Sequence, residues 1–149
     1  MVDRSTLGTV ALALAALLAL GIVAVAMNPG LLPTGEYERT TVTVVDDGSG
    51  ETLATVDARV ADSFAKRYTG LSETDSLGDD EGMLFVHDTA DEYDYVMRGM
   101  AFPIDIVFVD GEGRITAIHH AELPEDDADS PSYSGRGRYV LEVPYDYTT

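Results

Sequence analysis

The sequence predicts a mainly β domain, a compact sandwich or barrel of about seven short strands with one short helix, preceded by one N-terminal transmembrane helix. Three observations predict it. Leu7–Met27 is an uncharged run of 21 residues, 18 of them apolar. From Thr40 onward, apolar residues recur in short alternating stretches separated by Gly, Asp, Ser and Pro. Only one stretch of this second part, Ala61–Leu71, has helical spacing.

A helix of about 21 residues spans about 30 Å, the thickness of a hydrocarbon core. Residues 1–27 are therefore expected to form a signal anchor, with a membrane as the partner of residues 7–27. Arg4 precedes the run, while Glu36 and Glu38 follow it before the first downstream basic residue, Arg39. That asymmetry places the N-terminus in the cytoplasm and the domain outside. The alternative is a secretory signal cleaved near Ala26, since Ala24-Val25-Ala26 resembles a small-residue cleavage site. Both readings export the domain. Residues 28–39 carry Pro29, Gly30, Pro33 and Gly35 and read as a linker.

Residues 40–149 form the exported domain. Thr41–Val45 and Leu53–Val60 read as strands joined by the turn Asp46–Gly50. In Ala61–Leu71, Phe64, Tyr68 and Leu71 share a face, Asp62 or Ser63 can cap the start, and Gly70 marks the end. A Ser-, Asp- and Gly-rich loop follows. Gly82–His87 and Tyr93–Arg98 read as two further strands. Ile104–Val109 is the strongest, and Asp110–Gly113 turns it back into Arg114–His119. Glu122–Ser134 reads as a loop, and Arg138–Val143, closed by Pro144, as the last strand.

The chain carries 17 Asp and 10 Glu against 8 Arg and a single lysine, Lys66, for a net charge of −18. Such a surface repels itself. In molar salt the Debye length falls to about 3 Å and the repulsion is screened. Abundant carboxylates with almost no lysine predict a protein adapted to high salt. Nucleic acid is excluded as a partner, because phosphate is repelled. The absence of cysteine removes disulfides, thiolate metal sites and cysteine nucleophiles.

Four blocks between residues 55 and 143 match a known family in order and spacing. They are Arg67-Tyr68-Thr69-Gly70-Leu71; Glu81-Gly82-Met83-Leu84-Phe85-Val86; Tyr95-Val96-Met97-Arg98 followed by Pro103–Asp110; and Tyr139-Val140-Leu141-Glu142-Val143. This region resembles the domain of unknown function 192 (DUF 192) family. The resemblance implies a mainly β fold and an N-terminal export signal or anchor, and it implies no activity. Three places depart from the family pattern. Ser72 stands where the family has Met, Val96 where it has Trp, and Gly99-Met100 where it has Asn-Thr.

The candidate ligand-binding residues are Asp105, Arg98, Met97, Tyr95 and His119. Asp105 lies among Ile104, Ile106, Val107 and Phe108, and a carboxylate on an apolar strand needs a partner. Arg98 is the expected one. No spacing of His87, His119 and His120 matches a metal motif, so no metal is expected. Glu125–Asp129 lacks the glycine and terminal glutamate of a calcium loop, and no cofactor is expected. These features predict a membrane-anchored extracytoplasmic module that binds a small ligand or an envelope partner without catalysis. The alternatives are a hydrolase acting through Asp105 and His119, or a purely structural envelope module.

Overall fold

A computed structural model describes residues 4–126 and 130–149, with side chains from residue 15 onward. The end of the acidic loop Glu125–Asp129 lies outside the described residues. The chain divides into two units, residues 1–33 and 34–149. The first contains helix α1, Arg4–Met27, and a 3-10 turn at Pro29–Leu31 capped by the Asn28 side chain. The expected span Leu7–Met27 falls partly outside the described side chains. Among the described residues no helix is long and apolar enough to cross a membrane.

The second unit is one six-stranded sheet crossed by a short helix, α2. Its strands are β1 Arg39–Val45, β2 Thr52–Ala61, β3 Glu81–Val96, β4 Ile104–Val109, β5 Ile115–Ala121 and β6 Ser132–Pro144, in the order β1-β2-β3-β6-β4-β5. Every pair is antiparallel except β2–β3. β1–β2 and β4–β5 are the two expected hairpins. The parallel pair requires a crossover, and the chain makes it with α2, Phe64–Thr69. Ser63 caps α2 by accepting from the Lys66 amide, and Gly70 closes it at φ 52°. The helix is shorter than expected because Ala61 still belongs to β2.

The sheet is neither a closed barrel nor a stack of two separate sheets, and it has six strands rather than about seven. Gly82–His87 and Tyr93–Val96 are parts of one strand, β3, and the expected strand end Met97-Arg98 lies beyond it. The polar residues between them break the alternation, but β6 carries the ladder past them. Four residues, His87–Ala90, stand opposite the single Arg138. This large bulge bends β3 sharply. Phe85 and Tyr95 meet with ring centroids 5.1 Å apart, although ten residues of straight strand would separate them by about 33 Å. β6 curls with its partner. A side chain at Gly135 would run into the Phe108 ring, within 2.4 Å of its nearest atom, so only glycine lets β6 lie over that ring.

Each face has its own core. Met83, Phe85, Ile104, Ile106, Phe108 and Val140 fill the concave face together with Leu71 from the crossover. Val56, Ala58, Val107, Leu141 and Val143 fill the other.

Candidate functional site

A groove of about 320 Å³ opens on the concave face, between α2 with its following turn and the bent strand β3. That volume is at the small end of the range for ligand sites. Phe64, Tyr68, Tyr93 and Tyr95 supply aromatic walls. The Phe64 and Tyr68 rings stack at 6.1 Å, one helical turn apart.

Two guanidinium groups stand in the groove. Arg67 Nη1 donates to the Val86 carbonyl at 2.8 Å, tying α2 to the start of the bulge. Arg98 Nη2 donates to the Tyr68 carbonyl at 2.9 Å, and its Cζ lies 4.2 Å from the centre of the Tyr68 ring. Neither arginine makes an ion pair with a described residue. Each guanidinium has five N–H donors, so several stay available after these bonds. In a chain of charge −18 this makes a local positive site.

The bulge folds His87 against Tyr93 and Tyr95. The His87 and Tyr93 rings stack at 3.6 Å, and His87 Nε2 shares a 2.9 Å hydrogen bond with the Tyr95 hydroxyl. Burial, aided by the Arg67 charge, holds His87 below its ordinary pKa despite Asp88. Burial, reinforced by Glu142, pushes the Tyr95 phenol well up. Both groups are neutral at pH 7.

Glu142 lines the same groove and is only 6% exposed. Its rung-mates are Met83 on β3 and Ile106 on β4, both fully buried. The carboxyl has no hydrogen-bond or ion-pair partner among the described residues. Burial pushes its pKa up to about 8. At pH 7 it is an undissociated acid, able both to donate and to accept.

Two of the five candidate residues, Tyr95 and Arg98, lie in this groove. Met97 does not. It is 1% exposed and belongs to the core. Asp105 is not paired to Arg98. It sits on the other face of the sheet, fully buried, and accepts from His120 Nδ1 at 2.7 Å, Asp146 N at 3.2 Å, Thr148 N at 2.9 Å and Thr148 Oγ1 at 2.7 Å. Burial raises its proton affinity, but the bonds from Thr148, His120 and Asp146 outweigh it and hold the carboxyl below its ordinary pKa. Asp105 therefore fastens the C-terminal segment to β4.

His119 is one residue from His120 and so points to the opposite face. It bonds to the Ser134 carbonyl at 2.8 Å and rests edge-on against Phe108. Asp105 and His119 thus do not converge. Among the described residues no three His, Asp or Glu side chains are placed to hold a metal ion.

Glu142, Arg67 and His87 were not among the sequence candidates for a ligand site. The signal for Glu142 was present, since alternation along Tyr139–Val143 places Val140 and Glu142 on one face. Ser72, Val96 and Met100, which depart from the family pattern, also line the groove.

The DUF192 family model, described as uncharacterized ACR, matches residues 44–149. Two solved structures are similar. One is a candidate transcription regulator from Sinorhizobium meliloti 1021, with TM-score 0.67 and 24% identity over 75% of this chain and 84% of that one. The other is a protein of unknown function from Novosphingobium aromaticivorans DSM 12444, with TM-score 0.56 and 26% identity over 70% of this chain and 82% of that one. No curated protein matches the chain.

Proposed function

We propose that this chain, which belongs to the DUF192 family, is a membrane-anchored, extracytoplasmic binding module that holds a small aromatic or apolar anion in the groove between α2 and β3. The observation that carries this reading is the pairing of Arg67 and Arg98, neither ion-paired with a described residue, with aromatic walls in a concavity of about 320 Å³. A carboxylate or phosphate meets the guanidinium N–H groups, which suit planar anions. The apolar part of the ligand lies along Tyr68 and Tyr93.

The anchor rests on the uncharged run Leu7–Met27, and the export on Arg4 preceding it. Adaptation to brine rests on the 27 acidic residues against 9 basic ones. Hydrolysis through Asp105 and His119 has no support in the geometry, because Asp105 is occupied by four hydrogen bonds and His119 faces away from it.

One experiment tests the binding and the tether together. Membranes carrying the full-length chain are washed in molar potassium chloride and titrated with benzoate. Saturable binding in the pellet, weakened about tenfold or more in an Arg67→Ala/Arg98→Ala double variant, is the expected result. Equal binding by the double variant overturns the anion site. Release of the chain into the wash overturns the anchor.

A further inference from the structure

The groove lining holds two cationic side chains, Arg67 and Arg98, and one almost fully covered acid, Glu142. Glu142 is 6% exposed, and no described residue hydrogen-bonds or ion-pairs with its carboxyl. Among the described residues no fully buried side-chain oxygen or nitrogen lacks a partner, so the Glu142 oxygens reach the open groove, and a ligand that displaces water from them must replace its hydrogen bonds. Asp105, one rung away on β4, shows the usual solution, with four hydrogen bonds to a single carboxylate. Glu142 has no such set, and its side chain lines the groove.

From this placement we infer that Glu142 is a recognition group of the groove, and that it pairs with a neutral carboxamide or lactam edge of the ligand. The inference rests on the anion-binding reading above and adds the chemistry of a second polar group on the ligand. A carboxylic acid and a primary amide are complementary, each offering one donor and one acceptor side by side. The ligand class is therefore a flat anion that also carries an amide-type group.

The groups that share the groove with Glu142 favour a neutral partner over a cation. Tyr95 and His87 on β3 are neutral, for the reasons given above. Arg67 from the crossover and Arg98 after β3 are positive, and they oppose entry of an ammonium group. Asp94 on β3 is the one other acidic side chain in the lining, and its carboxylate accepts from the Ser134 hydroxyl. From β4, Ile106 offers only an apolar surface. The high proton affinity of Glu142 agrees with this arrangement.

The test compares benzoate, 4-carbamoylbenzoate and 4-(aminomethyl)benzoate on the full-length chain and on Glu142→Gln and Glu142→Met. Affinity is measured from pH 6 to 9.5 in molar salt. The unsubstituted protein is expected to bind 4-carbamoylbenzoate about tenfold more tightly than benzoate at pH 6. That preference should shrink as the pH passes 8. Glu142→Gln should keep the preference and lose its pH dependence, because an amide still donates and accepts. Glu142→Met should lose the preference, read as the ratio of its affinities for 4-carbamoylbenzoate and benzoate.

Benzoate binding without a carboxamide preference overturns this inference alone. So does a preference for the aminomethyl compound, or a preference that survives in Glu142→Met. Failure of all three compounds to bind overturns the anion site and this inference with it. Melting curves of both variants separate lost recognition from lost folding.

Discussion

Asp105 and Glu142 are two buried carboxyls on neighbouring strands. Asp105 stands opposite Val143 and Ile106 opposite Glu142, so the two acids are one rung apart and point to opposite faces. Asp105 is surrounded by donors from the chain end and from His120. Glu142 is surrounded by Met83, Ile106 and the groove. The first has a lowered pKa and the second a raised one. Burial is common to both, so burial does not mark a functional acid. The difference is whether folding has already satisfied the oxygens.

The strongest test of this contrast is Asp105→Ala. It strands the Asp146 and Thr148 amides and frees the C-terminal segment. The expected loss is about 3 kcal/mol in urea unfolding at constant salt. A loss below about 1 kcal/mol would mean that the chain end does not depend on Asp105. The folded pKa of Asp105 lies below its unfolded value. Its contribution is therefore complete above about pH 4 and disappears as acid takes the pH through the folded value.

Glu142→Gln is the mirror case and is expected to stabilise. The folded pKa of about 8 exceeds the ordinary 4.5, so the folded state holds a proton that the unfolded state has released. Stability then falls as the pH rises between those values, by at most about 1.4 kcal/mol per unit. Glutamine does not titrate. At pH 6.5 the variant should exceed the parent by about 2 kcal/mol, and near pH 4.5 the two should agree. Melting temperatures that differ equally at both values would place the Glu142 carboxyl in a wetter setting.

The smallest effect belongs to His120→Ala. The His120 side chain is 44% exposed, and Asp105 keeps three other bonds when it goes. A loss of about 0.5–1 kcal/mol is expected. A loss as large as that of Asp105→Ala would show that the histidine, rather than the chain end, organises the buried acid.

Much of the fold could be read along the chain, because its signals are local. The β1–β2 and β4–β5 hairpins follow from turns flanked by alternating residues, and α2 follows from Ser63, Gly70 and the spacing between them. The errors occur where partners are remote. Asp88–Glu92 reads as a break in β3, yet β6, more than forty residues later, carries the strand through it. Ser132–Ser134, the end of the expected loop Glu122–Ser134, belongs to β6 for the same reason. Asp105 was legible as a carboxylate in need of a partner. Its partners, Asp146 and Thr148, lie 41 and 43 residues away and have no local signature. Tyr95 and Arg98 were found, while His87 and Arg67 were missed, since only the bulge brings His87 back onto Tyr93 and Tyr95.

The parallel rung between β2 and β3 has a consequence for engineering. It obliges the chain to leave the sheet and return, and that single excursion, residues 62–80, delivers Arg67, Tyr68 and Ser72 to the groove. Glu142 and most of the opposite wall come from the ladder itself, and Arg98 and Met100 from the connection between β3 and β4. Transplanting the excursion from one relative to another therefore exchanges half of the binding surface as a cassette, while every strand keeps its neighbours.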